Sequence, residues 1–150
     1  MRTSKDGIEF IKAHEGFRAT PYKDTAGRLT IGFGHLIKKG EVFGAISSVE
    51  ATAMMQRDVG PVETAINHQV TILLLQNQFD ALVSFIYNVG DPNFEPSTMH
   101  KKLNNGDITG AADEFLKWDH DHVNGILVEE HGLHIRRAQE RAMFLGGVYA

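Results

Sequence analysis

The chain of 150 residues contains no cysteine, so disulfides and thiol chemistry are both excluded. That absence fits synthesis in a reducing cytosol and leaves the place of action open. An excess of positive charge is also missing. The formal net charge of −4 disfavours binding to a phosphate backbone, and no nucleic-acid partner is expected. There is no long apolar run. The most apolar stretch, VTILLL at 70–75, is far too short to cross a bilayer, and the polar, amphipathic start MRTSKDGIEFIKAHE has no signal-peptide core. Stable membrane insertion is therefore not expected, and action beyond the cytoplasm would need another protein to let this one out. Internal repeats, low-complexity segments, a Gly-rich phosphate loop, a Ser-His-Asp order and a nucleotide fingerprint are all lacking; GFGH at 32–35 is too short to count as one.

What is present is ordinary globular composition, 42% hydrophobic and 23% charged, enough for one compact domain with a sizeable core. Thr3 and Ser4 are alternative N-caps for a helix over 3–14, with Ile8 and Ile11 on its buried face and Gly16 as its stop. Residues 17–37 switch to turn and strand. DTAG at 24–27 is a type I turn signal, and RLTIGFGHLI then alternates, with Thr30, Gly32 and Gly34 on one face. Ser47 and Glu50 suit a capping box for a helix to about Asn67, kinked or broken at Pro61. VTILLL reads as a buried connection or short extended piece. QNQFDALVSFIYNVG carries the stripe Phe79, Leu82, Val83, Ile86 and Val89 of a strong helix closed by Gly90. Ser97 and Asp107 cap two shorter helices, the second turning Ala111, Phe115 and Trp118 inward. The polar segment 119–131 reads as a loop, and 133–145 as the last helix. The fold expected is α+β and mostly helical: a small lobe over about 1–46, a helical lobe over about 47–150, and a cleft between them.

The chemistry concentrates in HEGFRATPYKDTAGRLTIGFGH at 14–35. Glu15 ends a helix, where the dipole disfavours its charged form and suits it to general-acid work; the alternative is a plain surface carboxylate. Asp24 either caps its own turn or stays ionised to hold a water or oppose positive charge. The glycines beside Thr30 make either a flat floor for a ligand or a bulge packed on a helix. One acidic carboxyl, one ionised carboxylate and a water-orienting hydroxyl are what glycoside hydrolysis requires.

This stretch resembles the catalytic segment of the phage-type lysozymes, the endolysins of glycoside hydrolase family 24, in which Glu, Asp and Thr recur at the spacing of Glu15, Asp24 and Thr30. QNQFDALVSFIYNVG, STMHKKLNNGD, EFLKW and GLHIRRAQERAMF resemble the family's helical lobe in the same order. The resemblance implies a lysozyme-like fold and a monomeric muramidase without cofactor. It would cut the β-1,4 bond between N-acetylmuramic acid and N-acetylglucosamine in peptidoglycan strands. It also implies Glu15 as acid, Asp24 as the water's base or holder or as the stabiliser of the oxocarbenium ion, and Thr30 as its guide. An inverting outcome follows, with the carboxyls about 6.5–9.5 Å apart. Leu36 and Phe94 would line sugar subsites, His35 would support the site through a hydrogen bond, and Arg136 or Arg137 would pair with Glu15. The enzyme would wait in the host cytoplasm until a separate lysis protein releases it to the periplasm and wall, a thin Gram-negative wall being the expected target.

Two features depart from the family pattern: the acidic net charge, where many relatives are basic, and the long acidic segment WDHDHVNGILVEEHGL. Asp119, His120, Asp121, His122, Glu129, Glu130, His131 and His134 offer zinc-type ligands there, but the spacing matches no metal motif, and no metal is expected. The basic pairs Lys38-Lys39, Lys101-Lys102 and Arg136-Arg137 read as solvated surface. Two rival activities are weaker: transglycosylation does not need the water that Asp24 and Thr30 would hold, and a pure binding module does not need all three residues.

Overall fold

The computed structural model describes residues 1–123 and 126–150. Helix α1, Lys5–Glu15, starts at Ser4, whose hydroxyl accepts from the Gly7 amide at 3.0 Å; Ser4, not Thr3, is the cap. Its Ile8, Phe10 and Ile11 enter the main core. A three-stranded antiparallel sheet follows: β1 Arg18–Lys23, β2 Leu29–Gly32 and β3 His35–Leu36. The alternation expected along one strand stops at Gly32. Gly32 and Gly34 have φ of +68° and +80°, so Gly32-Phe33-Gly34 turns the chain back and Ile31 pairs with His35. Residues with a Cβ rarely adopt these angles, which is why glycine stands at both.

Helix α2, Ser48–Gln69, has Ser47 as its N-cap and runs without interruption through Pro61, so no break occurs there. The segment 70–75 is neither helix nor strand and is not buried throughout. Ile72 and Leu74 pack on the core, while Leu73 is fully exposed and Leu75 largely so. Helix α3, Gln76–Val89, is buried over most of its circumference: Phe79, Ala81, Leu82, Val83, Phe85 and Ile86 are each at most 1% exposed. A helix buried on nearly every side belongs at the centre of a domain, and each of its buried Phe, Leu, Val and Ile side chains contributes about 1.5–3 kcal/mol. Short helices α4 Asp91–Phe94, α5 Thr98–Asn104 and α6 Ile108–Glu114 follow, the last two capped by Ser97 and Asp107.

The expected loop at 119–131 is largely a hairpin: β4 His120–Val123 pairs antiparallel with β5 Ile126–Glu129. The signal was the Asn124-Gly125 pair ahead of the apolar run Ile126-Leu127-Val128; Asn124 and Gly125 themselves, and the side chains of Asp121, His122, Val123 and Val128, lie outside the described residues. Helix α7, His131–Gly146, is longer than the expected 133–145 because the Glu130 carboxylate caps the amides of Gly132 and Leu133. It lies along α3. The N-terminus is tied to this body as well: buried Asp80 on α3 accepts from the Ser4 amide at 3.0 Å and the Tyr149 hydroxyl at 2.8 Å. The sheet therefore stands as the small wall of a cleft whose other wall is α2 and α3.

Candidate active site

A cleft of about 970 Å³ opens between sheet and helices, lined by Glu15, Asp24, Thr30 and Leu36 on one side and Asp58 and Tyr87 on the other. The three residues singled out for chemistry thus face one space. Glu15 comes from the last position of α1 and Asp24 from the turn after β1. Thr30 is the second residue of β2.

Glu15 is only 19% exposed and accepts from Arg136 Nη1 at 2.8 Å. Arg136, on α7, is the residue that reaches it. Arg136 and Arg137 are both buried, against the expectation of solvated surface. Burial works against the Arg136 charge, but the Glu140 and Glu15 carboxylates outweigh it and hold the guanidinium above its ordinary value. Gly34 makes the Glu15 position possible: a Cβ there would lie 2.9 Å from Glu15 Oε2. Gly32 instead serves packing, since its Cβ would press to 3.1 Å from that of Ala51 on α2. Gly32 thus takes the expected packing role against a helix, whereas the close neighbour of Gly34 is the Glu15 carboxyl and not a ligand.

Asp24 caps its own turn. Oδ1 accepts from the amides of Ala26 at 2.9 Å and Arg28 at 2.8 Å, and Oδ2 accepts from Arg28 Nε at 3.0 Å. Desolvation pushes its carboxyl upward, yet these hydrogen bonds and the Arg28 charge prevail and hold it below the usual aspartate range. It caps its turn and stays ionised in consequence. Thr30 is 2% exposed and donates its hydroxyl to the Arg28 carbonyl at 2.9 Å. With the proton committed, its oxygen faces the cleft as an acceptor.

His35 is buried between two carboxylates, Asp58 Oδ2 at 2.7 Å from Nδ1 and Glu41 Oε1 at 3.1 Å from Nε2. It fastens the sheet to α2. Tyr87 donates to the Phe33 carbonyl at 3.1 Å, and burial, then the nearby Glu15, push its hydroxyl well above the ordinary tyrosine value. Leu36 lines the cleft and is 42% exposed. Phe94 does not. It is 0% exposed, packed into the core with its ring 5.0 Å from that of His100, so it has no surface to offer a sugar. Its place at the end of the short helix after Gly90 turns the ring inward.

Sequence reasoning missed Glu140, which is fully buried and paired with both arginines, and the Asp58 and Glu41 partners of His35. Glu140 had a signal, a carboxylate three and four residues after two arginines on one helix; Asp58 had none, being brought to His35 only by tertiary packing. Away from the cleft, Asp119, Glu129 and His134 form the one group of metal-ligand type among the described residues. Asp119 already takes His120 Nδ1 at 2.7 Å and His134 Nδ1 at 3.1 Å.

Residues 12–140 match the family model described as phage lysozyme. Among curated relatives, the endolysin of Acyrthosiphon pisum secondary endosymbiont phage 1 is 40% identical, over 96% of this chain and 98% of that one. Among solved structures, the endolysin from Escherichia coli O157:H7 phage FAHEc1 superimposes with a TM-score of 0.93 at 34% identity, covering 100% of this chain and 97% of that one. The muramidase domain of SpmX from Asticaccaulis excentricus does so at 0.88 and 35%, covering 96% of this chain and 97% of that one.

Proposed function

The chain belongs to the phage lysozyme family, and from that premise we propose that its peptidoglycan-degrading activity is hydrolysis of the β-1,4 bond between N-acetylmuramic acid and N-acetylglucosamine, with inversion. Glu15 is the general acid that protonates the leaving glycosidic oxygen. Asp24 and Thr30 hold the attacking water on the other face of the sugar. The supporting observation is that Asp24 is kept ionised by its turn while the Thr30 hydroxyl proton is already committed to Arg28 O. Both groups therefore present acceptors, and a water donating to both keeps a lone pair free for the anomeric carbon. The ionised carboxylate also opposes the positive charge that develops on the ring.

Leu36 supplies apolar surface for a sugar in the cleft. The protein acts as a monomer without cofactor on glycan strands, with no nucleic acid involved. Among the described residues no helix is long and apolar enough to cross a membrane. Made in the host cytoplasm, the enzyme reaches the periplasm and wall through a separate lysis protein.

Digestion of purified peptidoglycan with mass analysis of the products tests this reading. Reducing muramic-acid ends from the wild type and none from Glu15→Gln support it. Anhydro ends would make the reaction a transglycosylation, and no products from well-folded wild type would leave a binding module.

A further inference from the structure

Behind Glu15 lies a buried set of charges that the reaction as written does not use. One guanidinium, Arg136, bridges two carboxylates, giving Nη1 to Glu15 at 2.8 Å and Nε to Glu140 at 3.1 Å. Its Nη2 donates to the Ser84 carbonyl at 3.1 Å. Glu140 is 0% exposed. Its Oε1 also accepts from the Ser84 hydroxyl at 2.7 Å, and its Oε2 from Arg137 Nη1 at 2.6 Å. Arg137 is anchored further by the Trp118 carbonyl at 2.9 Å and by Asn88. Every polar edge of Glu140 is thus filled, and Arg136 has no freedom to turn away from Glu15.

The charges count unevenly. Two arginines face Glu140 and Glu15. With Glu15 ionised the set is neutral; with Glu15 protonated, as an acid must be, it carries one positive charge. Without Glu140, the protonated state would carry two. In a dry interior each added positive charge favours loss of the Glu15 proton. The other titratable groups around Glu15 are His14 on α1, Tyr22 on β1 and Tyr87 on α3, with Asp24 sharing the cleft. Tyr22 and Tyr87 are uncharged near neutral pH, and burial together with Arg136 disfavours the His14 cation. Glu140 is the anion that Arg136 and Arg137 both contact.

We propose that Glu140 is a positioning residue for catalysis, a buried counter-charge that aims Arg136 at Glu15 and offsets the second arginine so that Glu15 can hold its proton. This rests on the reading of Glu15 as the general acid. Glu140 touches no substrate; it acts through Arg136.

The test is the pH dependence of kcat/KM on soluble peptidoglycan fragments, with a carbon-13 NMR titration of the Glu15 carboxyl in the same proteins. Glu140→Gln should move the alkaline limb and the Glu15 titration to lower pH by about one unit. Arg137→Met should move both to higher pH. This second variant removes one partner of a buried ion pair and costs stability, but Glu140 keeps Arg136 and the Ser84 hydroxyl as partners. Titrated at a temperature where its melt shows a folded protein, it decides the matter even where Glu140→Gln does not fold. Shifts of opposite sign, or the upward Arg137→Met shift alone, support the proposal. An Arg137→Met protein that titrates like wild type, or two variants shifting in the same direction, would overturn it. If Glu15→Gln is inactive while these titrations stay unmoved, the role of Glu140 falls and the acid assignment stands. If Glu15→Gln still hydrolyses, the acid assignment falls and takes this proposal with it.

Discussion

Gly34 and Glu15 fit each other sterically: the missing Cβ of the one leaves the space that Oε2 of the other fills, with only 2.9 Å between them had the Cβ been there. The φ of +80° at Gly34 adds a second demand. Gly34→Ala should therefore do two kinds of damage. Backbone strain should lower stability by about 1–3 kcal/mol. Displacement of the carboxyl by a fraction of an ångström to an ångström should lower kcat/KM by about 10- to 100-fold. Thermal melts and steady-state kinetics separate the two. An alanine variant with full activity would mean that the close approach has no part in placing the acid.

Asp24→Asn should leave the fold intact, since the amide oxygen can still accept from the turn, but lower hydrolysis by about 100-fold or more. It also has a stability signature. The Asp24 carboxyl is held below its ordinary value, so its ionised form stabilises the folded state at pH above the unfolded value of about 3.9. That contribution is lost as pH falls through the lower folded value. Melting temperatures of wild type and variant, compared from pH 6 down to pH 2, should differ at the upper end and converge at the lower. A constant gap across the range would contradict the charge argument.

Pro61 lies within an unbroken α2. A proline there gives no amide to the Arg57 carbonyl one turn back, and its ring crowds that turn. Pro61→Ala should raise stability by about 1–3 kcal/mol, measured by urea unfolding. A lower stability would mean that the sheet packs against a helix shape only proline provides.

The sequence carried the local features and not the long-range ones. Ser47, Ser97 and Asp107 were legible as caps, and Ser4 as one of two candidates, because a cap is a contact within three residues. The α3 stripe was legible because its period is helical, yet its all-round burial was not, since Ala81 and Phe85 matter only once α7 and α2 close over them. Glu15, Asp24 and Thr30 were legible as a set through their spacing. Their common cleft depends on how α1 docks beside the sheet. Arg136 and Arg137 look like solvated charge on any surface rule; they are buried because Glu140 lies one turn later and Glu15 arrives from the far end of the chain. The 120–129 hairpin was hidden by its polar first strand, although the Asn-Gly pair marked it.

Leu36 and Phe94 were equal candidates for sugar contact, and their burial separates them into opposite predictions. Leu36 is half-exposed on the cleft wall, so Leu36→Ala should leave the melting temperature nearly unchanged and raise KM. Phe94 is 0% exposed in the core, so Phe94→Ala leaves a cavity and should cost about 3–5 kcal/mol of stability. The same variant should keep the KM of wild type at temperatures where it is folded, because the ring never meets the cleft. The two effects should add in the double variant, the sites having no shared role. A rise in KM for Phe94→Ala at low temperature, with the melt showing a fully folded protein, would mean that the core around Phe94 shapes the cleft from behind.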